Sequence, residues 1–581
     1  MNEKGKVLSF TTRKELSPRL VQEEPEKASK LFNAFSLKEQ LELVLSWRAK
    51  DRLNLILLSR RAKALVRLLP SPELYLTIKE VGEEDSLELL ALANHRQLSY
   101  VFDLEFWKEQ TLSPQQVCRW LDLLQKASLE QFRSWLKQAD IELLITILQK
   151  LVRVYVPDPD NIGVEPWRNK ELFTLDDYYY LEIKEEKFRP LVESLLLHLR
   201  ELEQKRYYGI LDQVRWQVPL EIEEISLRVR QGRLEDYGFY DFDEAFEIYR
   251  FLPDSRIPFL ERKNEFEIPF PAPRYPLAVP DKIPGFLSRV LENLEEKELE
   301  EFYAQFARLA NKVMIADVMD LTELSSIKKA VEKVYGYLEI GLDFWSEGNL
   351  ERALEIFRRH WLEQIFQVGF SQVLKLRFRA QKIEAKEWFR ALGKPFYLFG
   401  EPLAGILKAL LASRPRYYDA RRNEMREFKD FKEVKKAEAE LEQAEFLLWL
   451  FFEVLGLKAE ELKTLLSCYQ FELNFPVILA TAMVKGVVGG RLSFAPLSPQ
   501  ELSQFLAQSM PLKDDKRTLE QNLKESFKQW LVRRVEPRGT REKKFALLLA
   551  EKVFEMLEDE LGMIKEPEKI NPELITCLVL E

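Results

Sequence analysis

The stretch SPQQVCRWLDLLQKASLEQFRSWLKQ, residues 113–138, decides the fold class. Ser113 stands before Pro114, which suits an N-cap followed by a first helical residue that has no N–H to lose. Val117, Trp120, Leu121 and Leu124 then recur at three and four residues, one face of an α-helix. Ser128 opens a second helix with Phe132, Trp135 and Leu136 on its inner face. Ser113 with Gln116, and Ser128 with Gln131, have capping-box spacing. Short amphipathic helices joined by tight turns predict a stacked helical array.

The same grammar extends outward. Ser36 and Glu39 have capping-box spacing ahead of Leu41, Val44 and Leu45, and Ser71-Pro72 repeats the Ser-Pro start. Residues 1–28 are polar without periodicity and read as a flexible tail, and residues 29–155 as the helical array. Residues 156–252 open on VPDPDNIGVEPW and read as a loop excursion plus helices. Within them Asp241 and Glu244 have capping-box spacing, and Phe242, Ala245, Phe246 and Tyr249 form one face. The face reads as core in preference to an acidic-aromatic recognition element. Eight prolines between Pro253 and Pro284 forbid a regular helix, so 253–284 reads as a Pro-rich linker. Residues 285–581 carry longer periodic runs and read as a C-terminal helical domain, with one helix from about Lys429 to Leu455 stopped by Gly456, another starting at Ser498-Pro499-Gln500-Glu501 and a last short one at Asn571-Pro572. The expected fold is all-α: an N-terminal array of short stacked helices, a Pro-rich extended linker and a C-terminal bundle of longer helices.

Composition agrees and excludes several classes. Of 581 residues 46% are hydrophobic and 31% charged, and only 20 are glycine, which favours a globular helical chain over disorder or sheet. A net charge of −9 argues against a general nucleic-acid or membrane-surface binder. Cys118, Cys468 and Cys577 are too few and too scattered for a disulfide framework and fit a reducing, cytoplasmic setting. The first residues lack the apolar core of a secretory signal. The apolar runs Phe446–Phe452 and Pro476–Val484 fall short of the roughly 20 residues of a membrane span, so no transmembrane segment is expected.

Motif chemistry is sparse. His95, His198 and His360 have no metal-ligand spacing, and no HExxH or GxSxG is present. Gly486–Arg491 matches no phosphate loop and reads as a turn between helices. Buried, inert thiols are expected of the cysteines. Glu80, Glu83, Glu84, Asp85 and Glu88 read as a solvated helix face in preference to a weak Mg²⁺ site. No catalytic, cofactor-binding or metal residue is therefore expected, and no cofactor. Arg414, Arg416, Arg421 and Arg422 begin a basic stretch running to Lys436, with Tyr417 and Tyr418 inside it. Its interleaved acids read as ion pairs on an exposed helix in preference to nucleic-acid binding through a basic helix, which is one alternative function. An unrecognised enzyme site between the two helical halves, the other alternative, would gather Tyr178, Tyr179, Tyr180, Asp236 and Tyr237 near the Pro-rich boundary.

Three resemblances add to this. In YLEIGLDFWSEGNLERALEIFRRH, residues 337–360, Gly341, Phe344, Gly348, Ala353 and Phe357 resemble one tetratricopeptide hairpin, without its closing proline or a neighbouring copy. The array around Leu68–Pro70 is similar to the cytoplasmic helical N-domain of bacterial magnesium transporters. That resemblance covers about a fifth of the chain, and no transporter membrane region follows. The phrases LPSPELYLTIKEVGEEDSLELLALA and RLEDYGFYDFDEAFEIY, with the array–linker–long-helix order, resemble a bacterial family catalogued as a domain of unknown function. It implies a bacterial cytoplasmic protein and no known activity. The expected function is a non-enzymatic scaffold or regulatory protein binding a protein partner on the helical array or between the helical halves.

Overall fold

Helix Ser71–Val81 shows why the N-terminal half is an array, because it is buried without interruption from Ser71 to Ile78. A helix covered on every side must satisfy its polar groups internally. Glu73 does so at one carboxylate oxygen, Oε2, through Arg52, whose guanidinium lies 2.6 Å away and also donates to Thr77 Oγ1 and the Trp47 carbonyl. The Arg52 and Glu73 side chains are almost wholly buried, and removing one partner of such a pair costs about 3–5 kcal/mol. Two residues on, the Tyr75 hydroxyl donates to Glu105 at 2.7 Å. Glu105 also accepts from Lys79 and from the Trp120 indole, which ties three helices together.

The chain is all-α in a computed structural model that describes residues 16–157, 171–262, 285–513, 516–536, 539–565 and 574–581. The stretch quoted at the outset forms helices Pro114–Ala127 and Leu129–Gln138, with all seven periodic apolar residues buried. Ser128 Oγ accepts from Gln131 N, but the Gln131 side chain reaches the Ala93 carbonyl instead of closing the box. Ser36 and Glu39 close theirs in both directions, as do Ser498 and Glu501.

Several elements differ from expectation. Helices Pro18–Glu23 and Pro25–Ala34 precede Ser36, each with proline in its first turn. Ser71 is the first residue of its helix, not the cap, and Pro70 takes the cap position. The excursion is flanked by an antiparallel pair, Val152–Tyr155 with Tyr180–Ile183, in the register Val152↔Ile183. Alternation of Leu181 and Ile183, buried, with Tyr180 and Glu182, less so, is the two-residue period of a strand. Three shorter antiparallel pairs, Trp107–Lys108 with Thr111–Leu112, Tyr417–Asp419 with Glu424–Arg426, and Leu512–Lys513 with Lys516–Arg517, complete the strands among the described residues. Residues 263–284 of the Pro-rich stretch and the short helix expected at Asn571-Pro572 lie outside those residues.

Two compact units are found, Met1–Leu338 with Trp345–Gln367, and Glu339–Phe344 with Val368–Glu581. In the second, helix Phe475–Gly489 is buried from Phe475 to Val484. Its Thr481 hydroxyl accepts from Val579 N, and Leu497 bridges Leu580 in parallel. The long helix expected from Lys429 runs Phe431–Leu448 and widens into a π turn, Trp449–Val454, before Gly456 at φ 74°. The tetratricopeptide-like residues do form a helix pair, Leu324–Ser346 and Leu350–Arg359, around Glu347 and Gly348 at positive φ. Phe344 packs on Phe431 and Phe357 on Phe302.

Candidate functional site

The basic stretch is not a continuous helix. Pro415 ends the preceding turn, and Tyr417–Asp419 pairs with Glu424–Arg426 around a tip where Asn423 takes φ 53°. Arg421 and Arg422 sit exposed at that tip, Arg416 is exposed at its base, and Arg414 is half-buried. Arg422 approaches Glu424 at 3.5 Å, while Arg426 binds Glu433 at 2.6 Å and faces Asp419. The helical pairing expected of the stretch holds only beyond the hairpin, at Lys435–Glu438 and Lys436–Glu440.

Tyr178, Tyr179, Asp236 and Tyr237 fall into two separate clusters. Tyr178 is exposed, whereas Tyr179 is buried and donates to Asp212 at 2.5 Å beside the ring of Tyr208. Asp236 is exposed just after helix Pro219–Glu235. Tyr237 turns the other way. Its hydroxyl meets Ser71 Oγ at 3.3 Å and accepts from Arg96 at 3.2 Å, its ring lies 4.6 Å from Tyr100, and its carbonyl accepts from Asn311.

Tyr237 belongs to a segment that fastens distant helices. Arg233 ends helix Pro219–Glu235 with two donors to the Asp103 carboxylate and one to Asp140. Burial pushes the Asp103 carboxyl up, and Arg233 works against that shift. The niche beside these groups has no interior volume, so they act as struts. Gly238 follows at φ 89°, and a Cβ there would lie 2.7 Å from Arg308 Cα. Only glycine lets the turn press this closely on helix Glu296–Ala316.

That close approach shapes a pocket of about 160 Å³ lined by Tyr240, Gln305, Arg308, Lys312, Trp361 and Glu363. Arg308 and Lys312 are one turn apart on helix Glu296–Ala316 and so share a face. The Lys312 ammonium lies 3.1 Å from both Glu363 oxygens and 5.0 Å from the centre of the Tyr240 ring. Gln305 Oε1 accepts from Leu362 N and so fixes the start of helix Leu362–Glu384 at the pocket wall. Sequence reasoning missed this site, because its residues come from three segments and none carries a motif.

Other candidates resolve into structure. No group of three or more acidic, His or Cys side chains placed to hold a metal ion occurs among the described residues. Glu80 and Glu83 are not a solvated face. They are largely buried, Glu80 against Arg48 and Glu83 against Lys79 and Arg119. Gly486 and Gly489 end a helix, with Gly490 beyond it in the left-handed region, where carbonyls and not N–H groups point outward. Cys118 and Cys577 are buried, but Cys468 is exposed at the end of helix Ala459–Cys468.

The face expected to be core at Phe242, Ala245, Phe246 and Tyr249 is divided. Ala245 and Tyr249 are buried, while Phe242 and Phe246 remain 48% and 46% exposed. Helix Phe242–Phe246 has only five residues, and Asp241 makes no side-chain cap with Glu244. So short a helix can bury one edge only.

No helix among the described residues is long and apolar enough to cross a membrane. No curated protein and no solved structure matches the chain. Residues 29–581 match one family, described as a family of unknown function (DUF6178). That match takes in the buried Ser71–Val81 helix, the Arg233–Tyr240 fastener and the Lys312 pocket alike, and the chain belongs to this family of unknown function.

Proposed function

We propose that the chain is a non-enzymatic cytoplasmic scaffold or regulatory protein that binds a protein partner, and that residues Asp241–Glu247 form part of the contact. One observation carries this reading. The rings of Phe242 and Phe246 lie 5.7 Å apart and half-exposed, among the exposed carboxylates of Asp241, Asp243, Glu244 and Glu247. Aromatic anchors inside a charged rim are the composition of protein-binding patches. The base of the patch is firm, since Tyr249 packs on Phe366 and the Glu247 carbonyl accepts from Gln367. Four carboxylates select a partner segment that sets lysine or arginine around an apolar side chain.

The test compares the tagged chain with a Phe242→Ser/Phe246→Ser variant, purified from the same cells at low and high salt. A stoichiometric partner that is held by the parent chain, released by salt and lost from the folded variant supports the proposal. A folded variant that keeps the same partners as the parent refutes it.

A further inference from the structure

We infer that the solvent-facing side of helix Pro219–Glu235 binds a second copy of this chain, the two helices packing antiparallel about a twofold axis. Trp216, Val218, Leu220, Ile225 and Val229 are all exposed, Trp216 and Leu220 at 73% and 75%. No other stretch of this length among the described residues gathers as many exposed apolar side chains. Val218, Ile225 and Val229 recur at seven and four residues, so they share one stripe. The opposite side of the helix is already packed. Ile222, Glu223, Ser226 and Arg230 are buried there, Ser226 against Thr146 and Glu223 against Lys150. An apolar surface rimmed by charged residues, left over after the fold has packed, marks an interaction site.

The charges beside the stripe select the occupant. Glu221, Glu224, Arg228 and Glu235 lie exposed along one flank, and Glu224 binds Arg228 at 2.5 Å. This pattern complements itself in one direction only. An antiparallel pairing centred between Ile225 and Arg228 sets Ile225 and Val229 of each copy against those of the other, and Glu224 of each beside Arg228 of the other. Glu221 then faces Gln231 and Gly232, and Glu235 faces Gln217 and Val218, so no carboxylate meets a carboxylate. A parallel pairing would set each of these charges against itself. Antiparallel packing also opposes the two helix dipoles. A helix of 17 residues is about 25 Å long. A contact of that length falls below the area of a permanent dimer, so the dimer is a reversible one. The surface is distinct from the Phe242–Phe246 patch, and its test is independent of any other protein partner.

The experiment is analytical ultracentrifugation of the full chain across the micromolar range. A monomer–dimer equilibrium is expected, with its dissociation constant inside that range. Ile225→Ser/Val229→Ser leaves the buried side of the helix untouched and is expected to weaken dimerisation at least tenfold with the fold kept. Glu224→Arg and Arg228→Glu each bring like charges face to face and are each expected to weaken it several-fold. An equimolar mixture of those two single variants is expected to recover pairing as a heterodimer, because each acid again meets a cation. A purely local role for the Glu224–Arg228 pair would give no such recovery. Monomer at every concentration, a dimer that Ile225→Ser/Val229→Ser leaves intact, or charge variants that do not recover on mixing, overturns the assignment.

Discussion

The Tyr237 hydroxyl lies 3.3 Å from Ser71 Oγ, joining two sequence phrases that stand 166 residues apart. One opens the buried helix at the centre of the array, and the other closes helix Pro219–Glu235. The same hydroxyl accepts from Arg96, whose guanidinium also approaches the Tyr237 ring, and Tyr100 packs on that ring edge-on.

Tyr237→Phe removes the hydroxyl but keeps the ring. The loss is expected to be about 0.5–1.5 kcal/mol, the usual net worth of such hydrogen bonds. Tyr237→Ala also removes the ring contact and is expected to cost more. Urea unfolding of both variants against the parent chain checks the order, and an equal cost for the two would show that the ring contributes nothing.

Gly238 and Gly232 provide a matched pair. At Gly238 an alanine meets the Arg308 backbone and an unfavourable φ together, so a loss of roughly 2–5 kcal/mol is expected. At Gly232, inside helix Pro219–Glu235, nothing lies within 4 Å of the added carbon. Alanine there is expected to stabilise by about 0.5–1 kcal/mol, since helical glycine is unfavourable. Thermal melting of the two variants reads the opposite signs directly.

Stability is expected to fall as pH drops below about 6.5, the ordinary histidine pKa. Burial holds the imidazoles of His95 and His360 below their ordinary pKa. Asp140 and Arg233 act on His95, while Glu261, Gln364 and Arg359 act on His360. A depressed folded pKa means that the unfolded chain binds the proton more readily. The contribution is therefore complete above the unfolded value and is lost as pH falls through the folded one. Each histidine is expected to contribute under about 1 kcal/mol, because both rings keep some solvent contact. Chemical denaturation between pH 7.5 and 5.5 should show the decline, and a His95→Gln/His360→Gln variant should flatten it.

Thiol labelling should separate the cysteines. Cys468 is exposed, whereas burial pushes the Cys118 thiol up to about 12 and the Cys577 thiol also upward, with Glu560 adding to the latter. An aromatic disulfide reagent is expected to titrate Cys468 promptly in the native protein and all three after denaturation. Prompt native reaction of Cys118 or Cys577 would contradict the packing around them.

Local rules carried much of the fold. Ser36 with Glu39 caps as its spacing predicts, a helix starts after Ser498 as its Ser-Pro phrase predicts, and the face from Val117 to Leu136 is buried as its period predicts. These features depend on residues within a turn or two of each other, so the sequence displays them directly. The hairpin at Tyr417–Arg426 was marked only by Pro415 and Asn423, and the interleaved charges imitated helical pairing. The exposed rings of Phe242 and Phe246 were hidden by a periodicity that says which side chains share a face but not whether anything covers it.

The sequence by itself determined the all-α class, the positions of several helix starts and the absence of a long apolar span. Each of these follows from short-range geometry and composition. Tertiary structure alone decided that Tyr237 reaches Ser71, that Gly238 lies against Arg308, and that Lys312, Tyr240 and Glu363 enclose one pocket. Those residues are brought together by how helices stack. Stacking is set by the summed fit of many buried side chains, which no local pattern encodes.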